Sequence, residues 1–266
     1  MILVTNDDGY DTLGIKNLYN IASQFDDTIM VAPDTMKSAS GMSISFSRPI
    51  KINSLKNFGI NGYSISGYPA DCVFIAKNML LKNKKIDLAL SGINYGPNIS
   101  LISLYASGTL SAAMAAALTG IKSMAFSILT DNFNSEIGGD INKASLITEY
   151  ILKEFNENGF PENADVLNIN YPDKIDNNTK IKVVPMLKNP FMVTDFKSDL
   201  SNNYTYGNKI DLYNEENSDY RVLFNERNIA VTPLTVHGHN IKDFNPTEKF
   251  FKNVSEMLYE DNILFW

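Results

Sequence analysis

The sequence predicts an α/β fold: a doubly wound, mostly parallel sheet with helices on both faces, followed by a C-terminal antiparallel hairpin extension. Three observations predict it. Short β-rich runs alternate with helix-spaced apolar residues over the first 170 residues. Several of these runs stop at turn residues, at Asn6, Pro33, Ser91-Gly92 and Tyr171-Pro172. After Ile181 the pattern changes to short alternating segments set between Asn- and Asp-rich turns. Strands separated by helices of this size form parallel βαβ units.

Ile2–Thr5 is the first strand and ends at Asn6. Ile15, Leu18, Tyr19, Ala22 and Phe25 then recur at helical spacing. Thr28–Ala32 is a second strand, stopped by Pro33. Ile50–Ile52 and Tyr63–Ile65 flank Asn57-Phe58-Gly59 and Asn61-Gly62, which reads as a hairpin rather than a crossover helix. Ile86–Leu90 is a strand stopped by Ser91-Gly92, and Leu110–Leu118 is an Ala-rich helix. Ser123–Ile128 is a strand, Ala144, Ile147, Ile151 and Phe155 form one helical face, and Val166–Ile169 is a further strand. Phe191–Phe196, Lys209–Tyr213 and Tyr220–Leu223 are the alternating segments, closed by Val231 and Leu234. Asn245-Pro246 opens a last helix bearing Phe250, Phe251, Val254, Met257 and Leu258.

The chain has 266 residues, which we read as one domain over 1–266. Its core covers about 1–185 plus the C-terminal helix, and 186–235 is a hairpin and oligomerisation extension. Hydrophobic residues make up 44%, enough for a packed core. Lys+Arg number 23 against 30 Asp+Glu, a net charge of −7. That balance argues against a broad basic face for a nucleic-acid polymer. A phosphorylated small molecule stays open where a metal or backbone dipoles supply positive charge. The single cysteine, Cys72, excludes a disulfide framework and a Cys-based zinc site. The longest apolar run, Ala112–Leu118, has seven residues against the ~20 that span a bilayer. With no targeting pattern at Met1–Asp8, a cytoplasmic protein without membrane contact is expected.

Asn6-Asp7-Asp8-Gly9 follows the first strand. Ligands of open α/β sheets bind at the carboxyl ends of the strands. Two adjacent carboxylates there suit a hard divalent cation, with Mg²⁺ and Mn²⁺ matching Asp oxygens. A plain turn, with Asp7 capping the next helix, explains the pair equally well when it is taken alone. Further polar loops sharpen the reading. Asp34–Gly41 carries Ser38 and Ser40. Ser91-Gly92-Ile93-Asn94 continues into Tyr95-Gly96-Pro97-Asn98. Tyr105–Thr109 leads into the Ala-rich helix. Ser38 and Asn94 offer neutral oxygens to a metal. Ser107-Gly108-Thr109 offers free N–H groups and two hydroxyls to an anion, although an ordinary N-cap has the same residues.

Taken together and in this order, these segments resemble the SurE survival-protein family. They are Ile2–Gly9, Val31-Ala32-Pro33-Asp34, Ser91–Asn94 with Gly96-Pro97-Asn98, and Ser107-Gly108-Thr109. Pro69–Val73 and Val231–Leu234 extend the likeness to about residue 235. The resemblance implies a Rossmann-like core and a metal-dependent phosphomonoesterase. The substrate it implies is a nucleoside 5′-monophosphate, with the 3′ position left open. One Mg²⁺ or Mn²⁺ per subunit is implied, held by Asp7, Asp8, Ser38 and Asn94, with Asp7 and Asp8 catalytic. Asn6, Asn98, Ser107, Gly108 and Thr109 are expected about the phosphate or substrate. A homodimer or homotetramer built by exchanged C-terminal segments is implied as well.

The sequence departs from the family's usual pattern at Tyr10–Gly14, at Thr35-Met36-Lys37 and at Gly67-Tyr68-Pro69, which leaves the expected metal ligands unchanged and bears on substrate contacts and preference. Attack by water and attack by an Asp carboxylate both remain open. The alternative function is a non-catalytic nucleotide- or anion-binding regulatory module. A dinucleotide-dependent oxidoreductase is disfavoured, because no G-x-G-x-x-G follows the first strand. Cys72 sits in an apolar segment and reads as core. His237 and His239 read as a surface loop or subunit contact.

Overall fold

The computed structural model describes residues 1–130, 140–189, 196–199, 201, 203–206, 215–236 and 244–261. The strands are β1 (Ile2–Thr5), β2 (Thr28–Pro33), β3 (Ile52–Ser54), β4 (Gly62–Ile65), β5 (Leu88–Tyr95) and β6 (Ser123–Ile128). They continue with β7 (Val166–Tyr171), β8 (Ile181–Val183), β9 (Phe196–Ser198), β10 (Tyr204–Tyr206) and β11 (Ile229–Leu234). The α-helices are α1 (Leu13–Ala22), α2 (Pro69–Ile75), α3 (Ser100–Ala106), α4 (Gly108–Leu118), α5 (Ile141–Asn158) and α6 (Asn245–Glu260).

Nine strands form one sheet in the order β3-β4-β2-β1-β5-β6-β7-β11-β8. β4, β2, β1, β5, β6 and β7 run parallel, whereas β3 and β11 are antiparallel to β4 and β7. The chain winds outward from β1 in both directions, so the switch in strand order falls between β1 and β5. β9 and β10 form a separate antiparallel pair.

Side-chain alternation sorts β1 between two layers. Ile2 and Val4 face a cluster made with Ile15 and Leu18 of α1, Ile147 and Ile151 of α5, and Phe250 and Val254 of α6. Leu3 faces the opposite layer with Cys72 and Val73 of α2 and Ala112 and Ala116 of α4. Central strands covered on both faces read as continuous apolar runs, and all four residues of β1 are buried. Ten of the eleven α4 residues are buried, Gly108 through Ala117. Its alanines let the helix lie close against the sheet, and α3 meets it at a 68° bend. Among the described residues, no single helix is long and apolar enough to cross a membrane.

The structure departs from the sequence expectations at five places. β5 does not stop at Ser91-Gly92 but runs on to Tyr95, with its register against β6 shifting between Ser91 and Asn94. The glycine marks an extra residue in a continuing strand rather than an end. Tyr220–Leu223 is helical, leading into a π-helical turn at Arg221–Asn225, because its apolar residues cover one side of a short coil rather than a pleat. Val231 and Leu234 lie in β11, which joins the main sheet. The helices α2 and α3 were not expected. Of the alternating segments, Phe196 lies in β9. Lys209–Tyr213, the rest of 191–195, His237 and His239 lie outside the described residues.

Candidate functional site

The polar segments expected at one sheet edge lie at the carboxyl ends of β1, β2 and β5 or open α4, with Ser91–Asn94 inside the last part of β5 rather than after it. β1 delivers Asn6-Asp7-Asp8. Gly9, at φ +106°, makes the turn that follows, a conformation L side chains rarely adopt. Asn6 is buried, and both ends of its amide close that turn. Nδ2 donates to Gly9 O at 2.9 Å and to Thr12 Oγ1 at 3.2 Å, and Oδ1 accepts from Gly9 N at 3.2 Å. The amide of Asn6, a residue expected about the phosphate or substrate, thus shapes the acidic loop.

Asp7 is only 5% exposed. The Thr109 hydroxyl donates to its Oδ1 at 2.6 Å, and the main-chain N–H groups of Gly108 and Thr109 face the same carboxylate. Burial pushes the Asp7 carboxyl above its ordinary range, and these donors oppose that shift. A Cβ on residue 108 would stand 2.6 Å from Asp7 Cβ, so only glycine admits this approach. Ser107 caps α4, with Leu110 N donating to its Oγ at 3.1 Å. Leu110 N and Ser111 N, in the first turn of α4, therefore have partners within the chain, both supplied by Ser107. The helix start expected to cradle a phosphate thus stands directly against the Asp7 carboxylate. Asp8, beside it, is partly exposed.

The loop after β2 is tied to the acidic pair, because Lys37 N donates to Asp7 O at 2.7 Å. This places exposed Ser38 one residue from the anchor. Gly41 N donates to Ala106 O at 2.9 Å, which pins the same loop to the bend between α3 and α4. Asn94 lies near the end of β5, the neighbour of β1. Its Nδ2 donates to Gly96 O at 2.7 Å, which leaves Oδ1 as the end able to serve a cation. Among the described residues, no three His, Cys, Asp or Glu side chains gather into a metal-binding group. The residues present still fit a hard cation, since Asp7, Asp8, Ser38 and Asn94 all offer oxygen.

Asn98 is buried within an amide network that sequence reading missed. Its N–H donates to Asn170 Oδ1 at 2.8 Å, and its Nδ2 pairs with Ser127 Oγ at 2.8 Å. Its carbonyl accepts from Asn168 Nδ2 at 2.8 Å and Asn170 Nδ2 at 3.2 Å. The available signal was two asparagines, two residues apart, in the otherwise apolar strand Val166–Tyr171. Cys72 is buried in the core, and burial pushes its thiol well above the ordinary range, which makes it a poor nucleophile.

A parallel sheet whose strand order reverses beside a carboxylate pair defines a class: open α/β proteins, a class in which ligands bind at the carboxyl ends of the strands. The chain belongs to the SurE family, since the family model described as "Survival protein SurE" matches residues 2–192. It is 42% identical over 266 residues to a protein of Picrophilus torridus named 5′-nucleotidase SurE, covering 97% of this chain and 100% of that protein. A protein of the same name from Thermofilum pendens is 33% identical over 241 residues, covering 89% of this chain and 91% of the relative. The crystal structure of the SurE protein from Aquifex aeolicus superposes with a TM-score of 0.74 at 30% identity. That match covers 93% of this chain and 97% of that one.

Proposed function

We propose that this chain is a 5′-nucleotidase, hydrolysing nucleoside 5′-monophosphates to nucleoside and phosphate. The relatives' shared name supports the reaction. The observation that carries the site is Asp7, buried against the start of α4 with Asp8 partly exposed beside it. The reading includes one Mg²⁺ or Mn²⁺ held by oxygens of Asp7, Asp8, Ser38 and Asn94. When bound, that cation supplies Lewis-acid neutralisation of phosphoryl charge.

The chain's own residues have separable tasks. Asp7 is fixed by Thr109 and the α4 N–H groups and contributes an immobile oxygen. Asp8 accepts a proton from the attacking water. Asn98 donates from Nδ2 to a phosphoryl oxygen once its amide is oriented so that Oδ1 accepts from the Ser127 hydroxyl, the same pair read with the amide reversed. Ser107, Gly108 and Thr109 lie near the phosphate, and Thr109 also holds the Asp7 carboxylate. Asn6 acts on substrate only through the loop it closes. Activity at the 3′ position, a cytoplasmic location and self-association through residues 186–235 belong to the same proposal. So does the single domain over 1–266.

A metal-by-substrate screen tests it. Hydrolysis of AMP with Mn²⁺ or Mg²⁺, abolished by EDTA and restored by metal, is the expected result. Metal and nucleotide binding without turnover would favour the regulatory module instead. A phosphorylated Asp8 trapped during turnover would replace water attack by carboxylate attack.

A further inference from the structure

Residues 96–99 join β5 to α3 and carry Asn98, and Ser100 and Leu101 open the helix. Their main-chain groups are held from outside the segment. Gly96 N donates to Ile128 O and Leu101 N to Leu187 O, each at 2.9 Å. Asn98 N donates to Asn170 Oδ1 and Ser100 N to Asp219 Oδ2, each at 2.8 Å.

Ser100 has φ +60°, in the left-handed region that a non-glycine residue enters only when its surroundings hold it there. The group holding it is Asp219, which is fully buried. The other oxygen of that carboxylate accepts from Leu187 N at 2.8 Å and Tyr220 N at 2.7 Å. One side chain therefore fastens three segments: the start of α3, the stretch after β8 and its own C-terminal turn. Three converging N–H groups need an acceptor with two oxygens. An apolar residue would leave them buried and unmet.

We propose that Asp219 is a positioning residue for phosphate-monoester hydrolysis. By holding Ser100 in its left-handed conformation, it fixes the turn that presents Asn98 to the phosphate. This rests on the nucleotidase reading above, which places Asn98 at the phosphate. Asp219 itself touches neither substrate nor cation.

The test compares wild type, Asp219→Asn, and Asp219→Asn combined with Ser100→Gly. The amide keeps the size of the carboxyl but turns an NH₂ toward donors. Glycine enters positive φ without strain, so it removes the need for an outside restraint. With AMP and Mn²⁺, Asp219→Asn is expected to lower kcat about tenfold or more through misplacement of Asn98. Mn²⁺ affinity, measured by calorimetry, stays at the wild-type value. Amide hydrogen exchange at residues 98–101 quickens, while exchange in β1 does not. The double variant recovers part of both losses.

A folded Asp219→Asn protein with wild-type kcat and wild-type exchange at 98–101 overturns the proposal. So does loss of kcat that Ser100→Gly does not relieve. If Asp219→Asn does not fold, Asp219→Glu keeps the charge and moves the acceptor. Wild-type kcat in that protein overturns the proposal, and a reduced kcat with unchanged Mn²⁺ affinity supports it. If wild type fails to cleave AMP at all, the nucleotidase reading falls. The exchange measurement would still report whether Asp219 holds the turn.

Discussion

The Thr109 hydroxyl donates to Asp7 Oδ1 at 2.6 Å, joining the start of α4 to the end of β1 across 102 residues of sequence. Asp7 is thus held before any ligand arrives, and a buried carboxylate loses its ionic stabilisation if its donors are removed. Thr109→Val keeps the shape and deletes the hydroxyl. It should cost about 1–3 kcal/mol of stability, the usual penalty for stranding a buried acceptor. Urea unfolding checks this, and an unchanged midpoint would show the bond to be idle.

Asp8 has a different task from its neighbour. Asp8→Asn should fold as wild type and lose about 10²-fold or more in kcat, the scale typical of losing a positioned proton acceptor. Circular dichroism with AMP turnover in Mn²⁺ separates the two effects. Retained turnover would move the proton acceptor elsewhere.

Gly108→Ala sets helix propensity against close packing. Ala in place of Gly normally gains about 1 kcal/mol inside a helix. Here the new methyl would meet Asp7 Cβ at 2.6 Å and Oδ2 at 2.8 Å. The expected outcome is lower activity and no gain in Tm. A more stable, fully active variant would mean that the approach of α4 to Asp7 is dispensable.

Asp219 gives a pH signature in stability. Burial pushes its carboxyl from the ordinary 3.8 up to about 7, against opposing N–H donors, and Glu215 adds repulsion. The folded state therefore binds this proton more tightly than the unfolded chain between those values. Stability from this group is present below about pH 4 and is lost as pH rises toward 7. Asp219→Asn cannot titrate, so the Tm of wild type minus that of the variant should fall from pH 5 to pH 8. A constant difference would contradict the shifted carboxyl.

Much of the fold was legible because the core strands are bounded runs of apolar residues. β1 and β6 have the limits the sequence implied, since each is buried along its length. α2 and α3 were missed for a common reason: each has seven residues, too few for a helical period to stand out. At α2 the cue was Tyr68-Pro69 with Asp71, whose Oδ2 accepts from Tyr68 N at 2.9 Å as a helix-start box does. At Ser91-Gly92 the glycine read as a stop, though it only offsets β5.

The site was legible where its residues are contiguous and polar, as in Asn6–Gly9 and Ser107–Thr109. What those residues bind was less so. Nothing in the order of residues says that the start of α4 meets Asp7, a pairing that exists only once β1 and α4 pack. Asp219 was invisible for the same reason. It lies among polar neighbours in sequence, and its role comes from three N–H groups that converge only in the folded chain.

β1 has a hydrogen-bonded neighbour on either flank, and the paired acids sit at its tip. Strands so enclosed open last, whereas margins such as β3 and β8, with one neighbour each, fray first. Warming or mild denaturant should therefore loosen the borders of the molecule well before the acids lose their footing. A protein with unravelled rims would still carry an intact centre.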